Sequence, residues 1–117
     1  MSYGKTDPVP PPPGPGEYDV RFSTLRAAEG WKQLCKQASG NALAAWKLMR
    51  TNPSPNPCTK RHDRLKGPLS TAVRNGRAYP QWQIEVTGGG RLWYLLDSDR
   101  QTVWLREVHI GHPKKTE

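Results

Sequence analysis

The stretch QWQIEVTGGGRLWYLLDSDRQTVWLREVHIG, residues 81–111, decides the fold of this chain, because it reads as three consecutive strands. Its first segment, residues 81–87, alternates in hydropathy, with Trp82, Ile84 and Val86 at every second position. A period of two is typical of a strand with one buried and one solvent-facing side. The polar residues between them therefore predict an accessible second face of the sheet.

The rest of this stretch predicts an antiparallel meander. Residues 91–97, RLWYLLD, are apolar at consecutive positions, as expected of a central strand that is covered on both faces. Residues 101–111 predict the last strand. The three glycines at 88–90 and the sequence DSDR at 97–100 are turn signals, and connections this short join antiparallel neighbours.

Upstream of the meander, the sequence predicts a strand and then a helix. Residues 17–22, EYDVRF, alternate in hydropathy, with Phe22 among the residues on the buried face. From Leu25 onward the apolar residues recur at helical spacing. Ser23 or Thr24 offers the N-cap of this helix.

A second helix is predicted after a short turn. The sequence ASGN at 38–41 predicts the turn, with Gly40 in the left-handed conformation that is common at helix ends. The second helix is expected to end near Asn52, because Pro53 disfavours the helical conformation in the residue before it. Two helices with so short a connection predict an antiparallel hairpin.

These elements predict an α+β fold in the order β-α-α-β-β-β. We expect a four-stranded, mainly antiparallel sheet with the helical hairpin packed on one face. The other face, with Gln83, Glu85 and Arg91, is expected to remain accessible. Residues 1–16 are rich in proline and glycine and predict a flexible leader, so the domain is expected to span residues 17–117.

The composition restricts the classes of function. The net charge of +8 favours a polyanionic partner, and nucleic acid is the commonest of these. No stretch approaches the ~18 apolar residues of a spanning helix and no secretory signal is visible, so we expect a cytoplasmic protein without a membrane partner. Cys58 and His62 have a metal-like spacing without a second pair of ligands, and we expect neither a metal nor a cofactor.

Three short motifs follow this element order: RLKG at 64–67, RLWY at 91–94 and GHPKK at 111–115. Over residues 17–117, the order and the motifs together resemble the RelE/ParE superfamily of toxins from bacterial type II toxin–antitoxin systems. The RelE-like members are metal-independent endoribonucleases that cleave mRNA, most of them at the ribosome, through attack of the 2′-hydroxyl on the adjacent phosphorus. The resemblance therefore implies mRNA, the ribosome and a cognate antitoxin as partners.

The resemblance also implies catalytic residues. Arg91 matches the arginine that opens this strand in the family, and a guanidinium can hold two phosphate oxygens at once. His112 matches a histidine just past the last strand, and an imidazole suits acid or base catalysis near neutral pH. Lys66 is the lysine of the family's loop. His109, inside the strand, is expected to be structural.

The general base has two candidates. Glu85 projects from the accessible face, and it would suit those family members that pair a glutamate with a histidine. Asp63 stands three residues before Lys66, where a branch of the family carries its glutamate. The founding ribosome-dependent nuclease has lysines at the positions matched by Gln83 and Glu85, so this chain departs from that protein's mechanism.

A cationic loop and a cationic tail are expected to bind the RNA backbone, since each phosphate contact adds a salt-dependent increment of affinity. These residues are Lys60, Arg61, Arg64, Lys114 and Lys115. Stacking on a base requires an exposed aromatic ring, for which Trp93 and Tyr79 are the candidates.

Two alternative functions stay open at this point. One is a non-catalytic member of the superfamily, either a ParE-like gyrase inhibitor or a relative that only binds an antitoxin. The other is a small basic nucleic-acid-binding module with no toxin role. The presence of Arg91, Glu85 and His112 favours the enzyme, because a protein that only binds has no need of this trio.

Overall fold

Residues 11–111 are described by the computed structural model, and they form two helices and six strands. In chain order these are β1 (Asp19–Phe22), α1 (Leu25–Gln37), α2 (Ser39–Thr51), β2 (His62–Arg64), β3 (Thr71–Arg74), β4 (Arg77–Glu85), β5 (Arg91–Asp97) and β6 (Thr102–His109). A 3₁₀ turn, Gly67–Leu69, separates β2 from β3. The α+β class is therefore confirmed, and both predicted helices and all four predicted strands are present.

The strands form one mixed sheet in the order β1-β6-β5-β4-β2, and β3 pairs with the first half of β4. β1 runs parallel to β6, whereas the other pairings within the described residues are antiparallel. The chain between the two strands of this parallel pair runs through both helices and through β2 to β5. β5 lies between β4 and β6, which agrees with its apolar sequence on both faces.

The predicted sheet of four strands is incomplete, because residues 59–80 contribute two more. Asn75 and Gly76 have positive φ angles of 52° and 79° and form the tight turn between β3 and β4. An Asn-Gly pair between two alternating segments is a strong hairpin signal, and here it extends β4 towards its N-terminus. β2 pairs with the second half of β4, where His62 lies opposite Ile84.

The two helices are joined by Ala38 alone rather than by a turn over residues 38–41. Thr24 caps α1, its hydroxyl accepting a hydrogen bond from the Ala27 amide at 3.0 Å. Ala38 leaves the helical conformation, with φ −149° and ψ 65°, while its amide still donates to the last turn of α1. Gly40 lies inside α2, so the predicted left-handed glycine is wrong: the extended alanine already separates the helices.

Both helices pack on one face of the sheet and form the hydrophobic core there. The buried apolar residues of this core are Ala27, Leu34, Ala42, Ala45 and Met49 from the helices, and Trp82, Ile84, Val86, Leu92, Tyr94, Leu96, Val103 and Leu105 from the sheet. Phe22, predicted on the buried face, is 45% exposed at the end of the edge strand β1. Within residues 11–111, neither helix combines the length and apolarity needed to cross a bilayer.

The described end of the proline-rich leader lies against α2. The Arg50 guanidinium donates to the Pro11 carbonyl at 3.2 Å, to the Pro12 carbonyl, and to the Glu17 carboxylate at 3.0 Å. Its Cζ atom also lies 4.8 Å from the centre of the Trp46 ring. The segment predicted as a flexible leader therefore includes residues that contact the domain, while the first ten residues of the chain lie outside the described range.

A buried histidine connects the sheet to the loop after α2. His62 Nε2 lies 2.6 Å from the Tyr94 hydroxyl, and that hydroxyl donates to the Pro53 carbonyl. Since a hydroxyl carries one proton, His62 is the donor in the first contact. Burial lowers the pKa of His62 below its ordinary value of 6.5, and the neighbouring Asp63 carboxylate offsets this only in part.

We expect the free energy of unfolding to decrease as the pH falls from 7 to 5. His62 binds a proton more weakly in the folded chain than in the unfolded chain, so its contribution is complete above the unfolded pKa of 6.5 and is lost below it. Urea denaturation at several pH values measures this dependence. Glu17, whose ordinary pKa is 4.5, titrates below this window. The decrease should persist in a His109→Gln variant and weaken in His62→Gln; an equal decrease in both would contradict the assignment.

Candidate active site

Three polar residues form a row across three neighbouring strands on the face opposite the helices. In the sheet register, Arg91 lies opposite Glu85 of β4 on one side and opposite His109 of β6 on the other. Neighbouring strands lie about 4.8 Å apart, so the Cα atoms of Glu85 and His109 are roughly 10 Å apart with Arg91 between them. This set, Glu85–Arg91–His109, is called the polar row below.

Arg91 is the exposed centre of the polar row. It opens β5 directly after the glycine turn, so its side chain stands at the end of the sheet and is accessible. Within residues 11–111, its guanidinium makes no hydrogen bond or ion pair, and all of its donors remain available for a ligand. Glu85 is half-buried beside it, and its carboxylate likewise accepts no hydrogen bond from the described residues.

His109 is held by an acidic neighbour on its own strand. Its Nε2 lies 2.9 Å from Glu107 Oε1, and its side chain is 45% exposed. A carboxylate accepts only, so Nε2 carries the proton of this hydrogen bond and Nδ1 remains available for proton exchange. A carboxylate in this position also orients the imidazole ring. We predicted a structural role for His109, but the structure brings it to the site.

A second row of residues lies beside the polar row. Trp93 is opposite Gln83 on one side and opposite Glu107 on the other, and its indole N–H donates to Gln83 Oε1 at 2.9 Å. Asp63 of β2 lies opposite Gln83, half-buried, and its Oδ1 atom has no hydrogen-bond partner in the described chain. Glu85 is the direct neighbour of Arg91, whereas Asp63 is two strands away from it. The register therefore favours Glu85 over Asp63 as the partner of Arg91.

The expectation that this whole face is accessible is only partly correct. The β3–β4 hairpin folds over its other half, where the Arg74 guanidinium lies 3.5 Å from the centre of the Trp104 ring. Gln81 is fully buried there, donating to the Leu69 carbonyl at 2.8 Å and accepting from Arg106 at 3.0 Å. Tyr79 is buried as well, which excludes it as an exposed stacking ring. The accessible part is therefore the end of the face that carries the polar row.

The residues of the predicted RNA-binding loop differ in their distance from the polar row. Arg61 lies beside the polar row, since its carbonyl accepts from the Glu85 amide at 2.7 Å, and its side chain is exposed. Lys60 is exposed just before it. Arg64 is half-buried, and its Nε and Nη2 both donate to the Ser70 carbonyl, at 3.1 and 3.0 Å. These hydrogen bonds connect the end of the 3₁₀ turn to β2.

Lys66 is not brought to the polar row. It is exposed and follows Leu65, whose amide donates to the Gln81 carbonyl. The distance along β4 from Gln81 to Glu85 is roughly 13 Å at the usual rise of a strand. The catalytic assignment of Lys66 thus stays a prediction from the resemblance, without support from proximity in the described chain.

His112, Lys114 and Lys115 lie outside the described residues, but the point where the chain leaves β6 is defined. Gly111 has a φ angle of 84° and passes directly over Gly89 of the β4–β5 turn. A Cβ atom on Gly111 would lie 2.8 Å from the carbonyl carbon of Gly89, a contact that real Cβ atoms do not make. The backbone therefore crosses the glycine turn next to Arg91.

Known proteins were compared with this chain by sequence and by structure. No family model, curated protein or solved structure matches it. The resemblance to the toxin superfamily consequently rests on the element order and the short motifs alone.

The polar row combines the groups that phosphoryl-ester chemistry requires. A guanidinium can stabilise the extra negative charge of a phosphorane, a carboxylate can take a proton, and an imidazole supported by a carboxylate can give one. Among residues 11–111, no three His, Cys, Asp or Glu side chains converge as a metal site. The described site thus offers an arginine flanked by two proton-exchanging groups.

Proposed function

We propose that this chain is an endoribonuclease of the RelE/ParE type that cleaves mRNA at the ribosome without a metal. The observation that carries the proposal is the polar row, in which Arg91 lies between Glu85 and His109. The α+β fold supports it as well, because the four strands predicted from the sequence, β1, β6, β5 and β4, are neighbours in one sheet. A cognate antitoxin and a cytoplasmic location belong to the same proposal.

In the proposed mechanism, Arg91 holds the two non-bridging oxygens of the scissile phosphate. Glu85 takes the proton of the RNA 2′-hydroxyl, and the 2′-oxygen forms a bond to phosphorus. The bond from phosphorus to the 5′-oxygen breaks, and that oxygen receives the proton from Nδ1 of the His109 imidazolium, whose Nε2–H donates to Glu107. The products are a 2′,3′-cyclic phosphate and a 5′-hydroxyl, so neither an oxidant nor a water is needed in this step.

The placement of the acid and the base on opposite sides of Arg91 suits this displacement. The attacking and leaving oxygens lie on opposite sides of the phosphorus, so a base and an acid must reach it from opposite directions. Glu85 and His109 approach Arg91 from the two neighbouring strands. His112 remains a second candidate for the acid.

We expect Glu85→Gln and His109→Gln each to lower the rate of RNA cleavage about 10²- to 10⁴-fold, because each removes a proton-transfer group. Cleavage of single-stranded RNA by the purified chain, with and without ribosomes, measures the rate, and end analysis should identify the cyclic phosphate. Glu29→Gln on the exposed side of α1 is the matched control. Full activity in the His109→Gln variant would indicate that His112, rather than His109, is the acid. Full activity in Glu85→Gln would contradict the mechanism.

Growth on expression, the integrity of transcripts and the choice of RNA substrate distinguish the alternative functions. A gyrase-inhibiting member would arrest growth and leave transcripts intact. A relative that only binds an antitoxin, or a simple nucleic-acid-binding module, would leave both growth and transcripts unaffected. An RNA with a 2′-deoxynucleotide at the cleavage position should resist the enzyme, since it lacks the nucleophile. Cleavage of that RNA would rule out the 2′-hydroxyl mechanism.

A further inference from the structure

Two aromatic rings form a corner beside Arg91. The rings of Trp93 and His109 have centroids 5.2 Å apart and planes inclined by 70°. The indole N–H can only donate, so the amide oxygen of Gln83 must face it, at 2.9 Å. Trp93 is therefore held from both neighbouring strands, by Gln83 on β4 and by the ring of His109 on β6. The pair Trp93–His109 is called the aromatic corner below.

The aromatic corner is partly accessible, since His109 is exposed and Trp93 is half-buried without a cation stacked on its ring in the described residues. Trp104, on the same face, is covered by the Arg74 guanidinium at 3.5 Å. Tyr79 is buried under the β3–β4 hairpin. Trp93 is only half-buried and borders the accessible end of the face. Apart from His109, no aromatic ring and no guanidinium or ammonium group stacks on the Trp93 indole among residues 11–111.

The distance from Arg91 to Trp93 suits one nucleotide. Both residues point to the same face of β5, and their Cα atoms are two positions apart, which is roughly 6.6 Å. A phosphate held by Arg91 thus leaves its own base within reach of the aromatic corner. Base stacking on an aromatic ring tolerates any base, because every base has a π-face.

We propose that the aromatic corner is a nucleobase subsite, with the base next to the scissile phosphate stacked on the Trp93 indole. A base can occupy it only when it is unpaired and turned out of a helix, so the substrate class is single-stranded RNA rather than duplex. The inference rests on the proposed function for the position of the phosphate on Arg91. It adds a binding contact that the cleavage chemistry itself does not require.

The test is binding of a short, mixed-sequence 2′-O-methyl RNA, which cannot be cleaved through a 2′-hydroxyl. We expect Trp93→Leu to weaken binding of the single strand about 5- to 100-fold, and the duplex of the same sequence to bind more weakly than the single strand. Trp93→Phe keeps a ring and should restore most of the affinity. Trp104→Phe is the matched control on the same face.

In the wild-type chain, RNA should quench tryptophan fluorescence, and Trp93→Phe should remove that quenching while Trp104→Phe keeps it.

Several results would overturn the subsite, and they differ from those that would overturn the nuclease. Equal affinity of Trp93→Leu and wild type for the single strand would reject it, as would quenching that survives in Trp93→Phe. If Trp93→Leu does not fold, the loss or persistence of RNA-induced quenching in Trp93→Phe still tests the subsite. Trp93-dependent binding in a chain that cleaves no RNA would instead reject the proposed catalysis and keep the nucleobase subsite.

Discussion

Replacing Arg91 with alanine is expected to abolish growth arrest on expression and to lower RNA cleavage at least 10²- to 10³-fold. The guanidinium is the permanently charged cation of the polar row, and loss of one preorganised group that stabilises transition-state charge typically has an effect of this size. The chain should remain folded, since Arg91 is exposed and makes no contact within the described residues that a stable fold needs. Growth curves and cleavage rates measure the loss, and thermal unfolding tests the fold.

Two further variants sharpen this result. Arg91→Lys keeps the charge but not the planar fork, so it should recover only part of the activity. Arg100→Ala, an exposed arginine in the turn between β5 and β6, changes the net charge equally and should have no effect on cleavage. Full toxicity of Arg91→Ala would contradict the proposed function, and equal losses in Arg91→Ala and Arg100→Ala would point to net charge rather than to the site.

Leu34→Ala should destabilise the fold by about 2–5 kcal/mol, which is a large fraction of the ~5–15 kcal/mol that holds a domain of this size together. Leu34 is 1% exposed and anchors α1 in the core against the sheet. Alanine is the better helix former, so the loss reports packing rather than helix propensity. Urea denaturation at pH 7 measures the change in the free energy of unfolding.

The matched control lies on the same helix. Leu25 is 76% exposed at the first residue of α1, and Leu25→Ala should change the stability by no more than about 0.5 kcal/mol. Because both variants carry the same substitution in the same helix, the difference between their effects on stability reports the burial of Leu34. Similar effects of the two variants would contradict the packing of α1 on the sheet.

The fold was predictable from sequence where one physical signal dominated. Alternation in residues 81–86 and the continuous apolar run of β5 gave the meander, because burial sets those patterns directly. The two additional strands were missed for a different reason. Their segment is rich in charged residues and contains Gly67 and Pro68, which suggests a loop, yet the Asn75-Gly76 pair carries a hairpin signal that outweighs those features.

The candidate site was harder to predict because it depends on register between strands that are distant in the sequence. Alternation placed Glu85 opposite the core-facing residues, which the structure confirms. It could not show that His109, rather than a residue further along, lies opposite Arg91. A register shift between Trp93 and Tyr94 in the pairing of β5 with β6 changes which residues of β6 face Arg91. One sequence feature could have indicated His109: Glu107 stands two positions before it, so a strand places the two side chains on the same face.

The crossing of Gly111 over Gly89 has a practical consequence for anyone who produces this chain. The backbone leaves β6 at the accessible end of the sheet, next to Arg91. An affinity tag or a reporter domain joined shortly after residue 111 would consequently be tethered beside the guanidinium and the imidazole, where its bulk would hinder a large substrate from approaching. A tag placed before residue 11 would instead precede the segment that contacts α2, a helix on the opposite face of the sheet. Comparing the two fusions is therefore an inexpensive way to distinguish steric occlusion from genuine loss of activity.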